Sequence, residues 1–348
     1  MSNFWCEIDL NAIEHNINII KKLIGDTKLI GVIKGDAYGL GINTISKYLE
    51  DKVDILAVGN IEESRQIDVK TDILLLSPIC TIEDFKDDRE NLIFSIDNEE
   101  IIKELPQNTK KRVHIYVDTG MNRMGIKINR LDSVIQELKS NHPNIEIEGL
   151  YTHLHKCKDV RYTVSQVGRF KKVAEKYKEE IPFIHCLASS GILDNDIRKA
   201  ADFTTAARGG NIIYGYAGYN RGIKKTFTYY AVPVNVCKVA KGEQVGYGGL
   251  FTAKSDMTVG VLACGNVHGM GITRETKNNP IYDIFKILYR SIKKRYVIFN
   301  GGRPVEILGK PNMNVTLINM TGLDKYAKLK IDLSPVISES SVEKVYIE

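Results

Sequence analysis

One lysine in this 348-residue sequence stands where reactive chemistry is readily built. The run Leu29 to Ile33 is apolar and strand-forming, and it delivers Lys34 into a turn carrying Gly35, Gly39 and Gly41. A side chain at such a strand end is held in place while the loop beyond it varies freely. Partial desolvation disfavours the ammonium, so Lys34 is a candidate amine nucleophile able to form a Schiff base. The N–H groups of the glycine-rich turn are candidates for holding an anion such as a phosphate. An ordinary strand end followed by a solvated lysine fits the same spacing. Arg123, His153, Arg208 with Gly209 and Gly210, and Tyr247 between Gly246 and Gly248 also stand out. Each has a plainer reading as well: a surface ion pair, a satisfied core histidine, turn chemistry, and a hairpin with a packing tyrosine.

Positioning such groups needs a scaffold, and the pattern of the chain supplies one. Apolar runs lie at 28–33, 54–59, 72–76, 92–96, 112–117, 146–151, 182–187 and 211–214. Segments of helical periodicity lie between them, among them Thr81 to Glu90, Leu131 to Leu138 and Thr163 to Tyr177, and Leu10 to Leu23 precedes the first run. Eight strands interleaved with helices predict a parallel sheet, and eight is the number that closes a (β/α)8 barrel. A doubly wound open sheet is the alternative, but no Gly-x-Gly-x-x-Gly follows the first strand. After Tyr229-Tyr230 short runs rich in Val, Ile, Thr and Gly take over, such as Val232 to Val239 and Met257 to Leu262, with one helical stretch at Tyr282 to Lys293. The expected architecture is a barrel over 1–229 followed by a smaller, mostly β C-terminal domain over 230–348, with Phe4 to Ile8 free to join its sheet.

Composition narrows the function classes. The formal charge of +5 is modest and its basic clusters are scattered, which argues against nucleic-acid binding. The six cysteines have no short paired spacing, so they read as thiols rather than a disulfide framework or a zinc site. No signal-peptide pattern opens the chain and no apolar run reaches a membrane span, so the expectation is a cytoplasmic protein without metal or membrane partner.

The stretch Lys34-Gly35-Asp36-Ala37-Tyr38-Gly39-Leu40-Gly41 resembles the pyridoxal 5'-phosphate (PLP) signature of the alanine racemase family, with Gly35, Asp36 and Leu40 departing from its usual Ala, Asn and His. Asp118-Thr119-Gly120-Met121-Asn122-Arg123-Met124-Gly125, Tyr151-Thr152-His153, Ala188-Ser189, Arg208-Gly209-Gly210-Asn211 and Gly246-Tyr247-Gly248-Gly249 follow in the family's order. The resemblance implies PLP held covalently by Lys34, with its phosphate on Tyr38, Ser189, Gly210, Asn211 and Ser340. It also implies that Arg208 faces the ring nitrogen. An arginine there keeps that nitrogen unprotonated and limits the electron sink, which suits simple proton removal and return. Arg123 and the backbone of Met313 are implied to hold the substrate carboxylate, a task suited to a planar fork.

Racemisation needs a proton removed on one face of Cα and returned on the other. The resemblance assigns Lys34 and Tyr247 as the two catalytic bases, with His153 and Arg208 steadying the phenolate. It further implies a head-to-tail homodimer in which Tyr247 enters the partner's site. Alanine is the expected small amino-acid substrate. Serine or another amino acid, or a PLP-binding protein without turnover, are the alternatives; a decarboxylase finds only Cys264, in the wrong context. Two departures bear on the site. Asn266 and His268 stand where the family has Tyr and Asp, and Tyr116 stands where many members carry a carbamylated lysine that steadies the arginine.

Overall fold

A computed structural model describes residues 2–76, 82–106, 108–216, 221–271, 284–285, 297–338 and 341–348. The chain divides into two compact units, Asn11–Thr226 and Met1–Leu10 with Phe227–Glu348. The expected helix at Tyr282 to Lys293 and the candidate Ser340 lie outside the described residues.

The first unit is a closed barrel of eight parallel strands: β1 (Lys28–Val32), β2 (Ile55–Val58), β3 (Ile73–Leu75), β4 (Leu92–Ile96), β5 (Lys111–Asp118), β6 (Ile145–Tyr151), β7 (Phe183–His185) and β8 (Ala206–Gly209). Each pairs with the next, and β8 closes the ring on β1 through Ala206 opposite Lys28 and Arg208 opposite Ile30. Alternate residues point inward, so Ile30, Val32, Ile55, Ala57, Leu74, Ile93, Phe183 and Ala206 pack as one cluster, with Tyr38 and Leu76 against it. The intervening helices follow the apolar spacing: Leu131, Val134, Ile135 and Leu138 form the buried stripe of the helix Leu131–Asn141. An eleven-residue helix is marginal alone, so this stripe, at about 1.5–3 kcal/mol per large apolar side chain, is what holds it to the barrel. Asparagine or aspartate caps set several starts, with Asn60 Oδ1 accepting from Glu63 N and Asp159 Oδ1 from Tyr162 N.

Two sequence expectations need correction. The last barrel strand is Ala206–Gly209, not the apolar run 211–214. Ile212, Ile213 and Tyr214 are fully buried, but they lie in a turn closed by Ile213 N on Gly210 O at 2.8 Å. Apolarity reported burial there rather than extended backbone, while the small Ala206 and Ala207 gave the strand little signal. Of the helix expected from Thr81 to Glu90, the described part is only a 3-10 turn, Ile82–Lys86.

The second unit is built on a six-stranded sheet. Phe4–Asp9 lies within it, antiparallel to Phe227–Ala231 and parallel to Glu343–Ile347. A three-stranded antiparallel sheet joins Asn235–Val239, Met257–Leu262 and Thr316–Asn319. A short ribbon of Gln244–Val245 with Phe251–Thr252 carries the turn Tyr247–Gly249 at its tip.

Candidate active site

Lys34 leaves β1 into an unusual backbone. Gly35, Asp36, Ala37 and Tyr38 all take left-handed conformations, with φ of 66°, 55°, 52° and 58°. For the three residues that bear a Cβ this costs about 1–2 kcal/mol each, so the surroundings must hold the turn. Asp36 accepts from Ile42 N at 2.8 Å, and the Tyr216 hydroxyl donates to Tyr38 O at 2.6 Å. Glu63, on the helix Ile61–Arg65, accepts from Gly35 N and from Gly59 N, both at 2.6 Å. The carboxylate thereby ties the ends of β1 and β2 together beside Lys34. The N–H groups of Gly35, Ala37, Leu40 and Gly41 are thus engaged within the protein, so this turn is a clamp around the lysine and not the anion cradle its glycines suggested.

Burial holds the Lys34 amine below the ordinary lysine range, and the positive charges of Arg123 and Arg208 act in the same direction; the Glu63 carboxylate opposes them. The same cations reach His153, which follows β6 by two residues. Burial first, then Arg208, Arg123 and Lys34, push its pKa from 6.5 to about 3. His153 is therefore a neutral imidazole that donates or accepts a hydrogen bond, and the cationic role expected of it falls to the arginines alone.

Hydroxyl and backbone N–H groups converge after strands β7 and β8. Ser189 opens the helix Ser189–Leu193 as its first residue, Ala188 being the cap, and its Oγ accepts from Gly210 N and Ile212 N at 3.3 Å each. The Tyr38 hydroxyl lies over Gly210 so closely that a Cβ there would come within 2.3 Å of it, so a larger residue at 210 would displace the Tyr38 hydroxyl. Asn211, itself exposed, begins the buried turn beyond, its carbonyl accepting from Tyr216 N at 3.3 Å.

Arg208, at the end of β8, is 4% exposed. Its Nη1 donates to His185 Nδ1 at 2.6 Å, and its Nη2 to Thr152 O at 2.8 Å. Because a guanidinium only donates, His185 Nδ1 must accept, which puts the imidazole proton on Nε2. That nitrogen lies 3.0 Å from His114 Nδ1, which fixes the second tautomer in turn. His114 Nε2 then faces Glu148 Oε2 at 3.9 Å, and Glu148 and Asp72 share Arg112. A line of buried polar groups thus runs down the barrel interior from Arg208. Gly149 makes room for it, since a Cβ there would meet the His114 ring at 2.4 Å.

Arg123 is set differently. Asp118 organises its loop by accepting from Gly120 N at 3.0 Å and Asn122 N at 3.1 Å, while Lys127 pairs with its other oxygen at 2.5 Å. The Arg123 side chain itself is exposed and faces the Tyr116 hydroxyl. Burial raises the Tyr116 pKa, opposed by the charges of Arg123 and Arg208 and by a hydrogen bond from Arg123.

The barrel unit therefore brings together Lys34, Arg123, His153 and Arg208, and separately Tyr38, Ser189 and Gly210. Tyr247 and Met313 belong to the other unit, where they are 88% and 68% exposed. His268, at one of the departing positions, is fixed within that unit: its Nδ1 accepts from Gly265 N at 3.0 Å and its ring meets Phe4 edge-on at 5.1 Å. Sequence reasoning missed Glu63, His114, His185 and Tyr151; the only available signal was a carboxylate four residues after the Gly59 strand end. Among the described residues no group of three or more His, Cys, Asp or Glu is placed to hold a metal, and no helix is long and apolar enough to cross a membrane.

Comparison with known proteins matches this layout from end to end. Residues 8–218 match the family model for the alanine racemase N-terminal domain, and residues 226–339 that for the C-terminal domain. Alanine racemase 2 of Clostridium acetobutylicum is 31% identical over 291 residues, covering 78% of this chain and 72% of its own length. The alanine racemase of Borreliella burgdorferi is 28% identical over 342 residues, covering 92% of this chain and 85% of its own. The solved alanine racemase of Clostridium difficile 630 superposes with a TM-score of 0.81 at 25% identity, covering 100% of this chain and 96% of that one. With both domain models matched in order over nearly the whole sequence, the chain belongs to the alanine racemase family.

Proposed function

We propose that this protein interconverts L- and D-alanine with PLP as its cofactor, acting in the cytoplasm. The observation that carries the reading is Lys34: a desolvated amine at a barrel strand end, flanked by two arginines and held by a carboxylate that binds backbone rather than the amine. The residues present fit the cofactor. Ser189 Oγ, the Tyr38 hydroxyl and the Gly210 and Ile212 N–H groups gather in one place, where the phosphate would replace Ser189 Oγ as the acceptor of those two N–H groups, with Asn211 and Ser340 as the remaining proposed contacts. Lys34 would hold it covalently, and Arg208 would meet its ring nitrogen. Once bound, PLP would supply the electron-withdrawing ring that acidifies the substrate Cα–H.

In this reading Arg123 and the Met313 backbone hold the substrate carboxylate. Lys34 Nζ, kept partly unprotonated by burial and by its cationic neighbours, takes the α-proton from one face or returns it there. Tyr247 Oη does the same on the opposite face, supplied by the second subunit of a head-to-tail homodimer. Its 88% exposure leaves it available to a partner chain. Arg208 keeps its own proton because a guanidinium does not give it up in proteins, so it offers charge without protonating the ring. His153 contributes a neutral hydrogen-bonding group beside these cations.

The test is α-hydrogen exchange in D2O followed by proton NMR. PLP-loaded protein receives L-alanine, L-serine, L-lysine or L-glutamate separately, with Lys34→Ala as control. The expected result is exchange on L-alanine with both enantiomers appearing, and none in the variant. Exchange confined to another amino acid replaces the substrate, and no exchange on any, despite bound PLP, removes the racemase reading.

A further inference from the structure

Gly35 and Gly59 stand at the ends of two adjacent parallel strands, one just past Lys34 and the other just past β2. The ladder between the strands ends with Ile33 N donating to Ala57 O at 2.8 Å. Beyond that rung the chain presents two donors, and two N–H groups cannot bond each other. Glu63 supplies the missing rung: its Oε1 accepts from Gly35 N and its Oε2 from Gly59 N, both at 2.6 Å. The local sequence puts the carboxylate there. Asn60 caps the helix Ile61–Arg65, its Oδ1 accepting from Glu63 N at 2.9 Å, so Glu63 takes the third helical position. A glutamate at that position ordinarily reaches back to the N–H of the cap itself. Here it reaches one residue further, to Gly59, and across to the neighbouring strand. Gly59 leaves the gap for it, since a Cβ there would lie 3.0 Å from Glu63 Oε2 and 3.5 Å from Lys34 Cβ.

From this arrangement we infer that Glu63 is a positioning residue for Lys34, fixing the backbone beyond the lysine against β2 so that Nζ meets one face of the substrate Cα. Lys34 is bracketed by the Ile33 rung before it and the Gly35 tie after it. The tie matters because Gly35 opens the left-handed run 35–38, whose other anchors include Asp36 on Ile42 N and Tyr216 on Tyr38 O, both later in the chain. Loss of the tie lets the peptide after Lys34 turn, and a shift of about 1 Å in a reacting group costs up to about 100-fold in rate. A carboxylate suits the place because both of its oxygens accept, whereas an amide offers a donor on one side. Its charge also favours the protonated amine against the two arginines, so Lys34 is able to keep the proton it removes.

The inference rests on Lys34 being one of the two bases, and the experiment tells the two apart. PLP-loaded native protein, Glu63→Gln, Glu63→Asp and Lys34→Ala are compared for kcat and KM with L- and D-alanine, and for the α-deuterium isotope effect on each enantiomer. Amide hydrogen exchange, read by mass spectrometry on the segments containing Gly35 and Gly59, needs no turnover. Glu63→Gln keeps the length but turns an NH2 toward one of the two donors, while Glu63→Asp keeps the charge but is a methylene too short to span both. Both should lower kcat by about 10- to 100-fold with KM nearly unchanged, and both should speed exchange in the two segments together. Because the Lys34 transfer alone is slowed, the isotope effect should rise for the enantiomer whose α-proton goes to Lys34. It should fall for the other, whose labelled proton goes to Tyr247. Native kcat in the two variants, or a lower kcat with isotope effects that stay put or move together, overturns the positioning role. So does native behaviour of Glu63→Asp, which would leave charge as the only effect. If Lys34→Ala racemises alanine, or the native protein does not, the base reading falls and takes the inference with it, while hydrogen exchange still shows whether Glu63 ties the turn.

Discussion

The two arginines of the barrel site are held in opposite ways. Arg208 is buried and donates to His185 Nδ1, Thr152 O and two further carbonyl oxygens, at His185 and Cys186, while Arg123 is exposed at the tip of a loop and leans on one phenol. A buried charge must have every donor answered, because its desolvation is otherwise uncompensated. An exposed one needs only enough support to fix its direction, and its charge stays free for a ligand. Arg208 is thus part of the fold as much as of the site, whereas Arg123 can be altered with little structural consequence.

The sharpest way to break this contrast is Arg208→Ala. It leaves His185 Nδ1 and the carbonyls of Thr152 and Cys186 facing an unfilled space, at about 1–3 kcal/mol for each buried group left unpaired. Thermal unfolding should show a loss of several degrees along with loss of racemisation. A variant that melts as the native protein does would mean that water replaces the guanidinium without cost, and that burial and function are separable here.

Acid should expose the same asymmetry. His114 is fully buried in the polar line below Arg208, and its pKa falls from 6.5 to about 3, through burial first and then the charges of Arg112 and Arg208. The unfolded chain binds a proton near pH 6.5 that the folded chain refuses until about pH 3, so His114 makes stability fall progressively as pH drops through that window. His185, lowered from the same cause, adds to the slope. Urea midpoints measured from pH 7.5 to 5 should fall, and His114→Asn should flatten the decline. A decline as steep in the variant would show that other groups control acid stability.

Arg123→Gln probes the exposed end and should be the mildest. Surface replacements of this kind stay within about 0.5 kcal/mol of native stability. Because Arg123 helps hold the Lys34 amine below its ordinary range, its removal lets that pKa rise. In the direction in which the released Lys34 amine acts as the base, the acidic limb of the kcat profile should therefore move to higher pH, with the melting temperature unchanged. A limb that stays in place would mean that burial alone sets the Lys34 amine.

Much of this was legible before any coordinates. Lys34, Arg123 and His153 each follow an apolar run, and side chains at the carboxyl ends of parallel strands meet at one end of a barrel; Arg208 stood out by its glycines, just before the run taken for the eighth strand. The switch to alternating short runs after residue 230 likewise announced a second, β-rich region. The eighth strand was misplaced because small alanines carry a weak strand signal while a buried turn carries a strong apolar one. Glu63 was invisible because its work is done on backbone N–H groups of two other segments, which no spacing along the chain encodes.

By itself the sequence determined the kind of scaffold, the order of its strands and the side chains delivered to their ends, since periodicity and residue type are local properties. The tertiary structure decided the rest. Closure of the ring set the register that stacks Tyr116, Tyr151 and His185 and threads Arg208, His185, His114 and Glu148 into one line. Those residues are tens of positions apart, and only the staggered pairing of neighbouring strands brings them to the same level. The low-dielectric interior then settled which of them stay neutral and which carry charge.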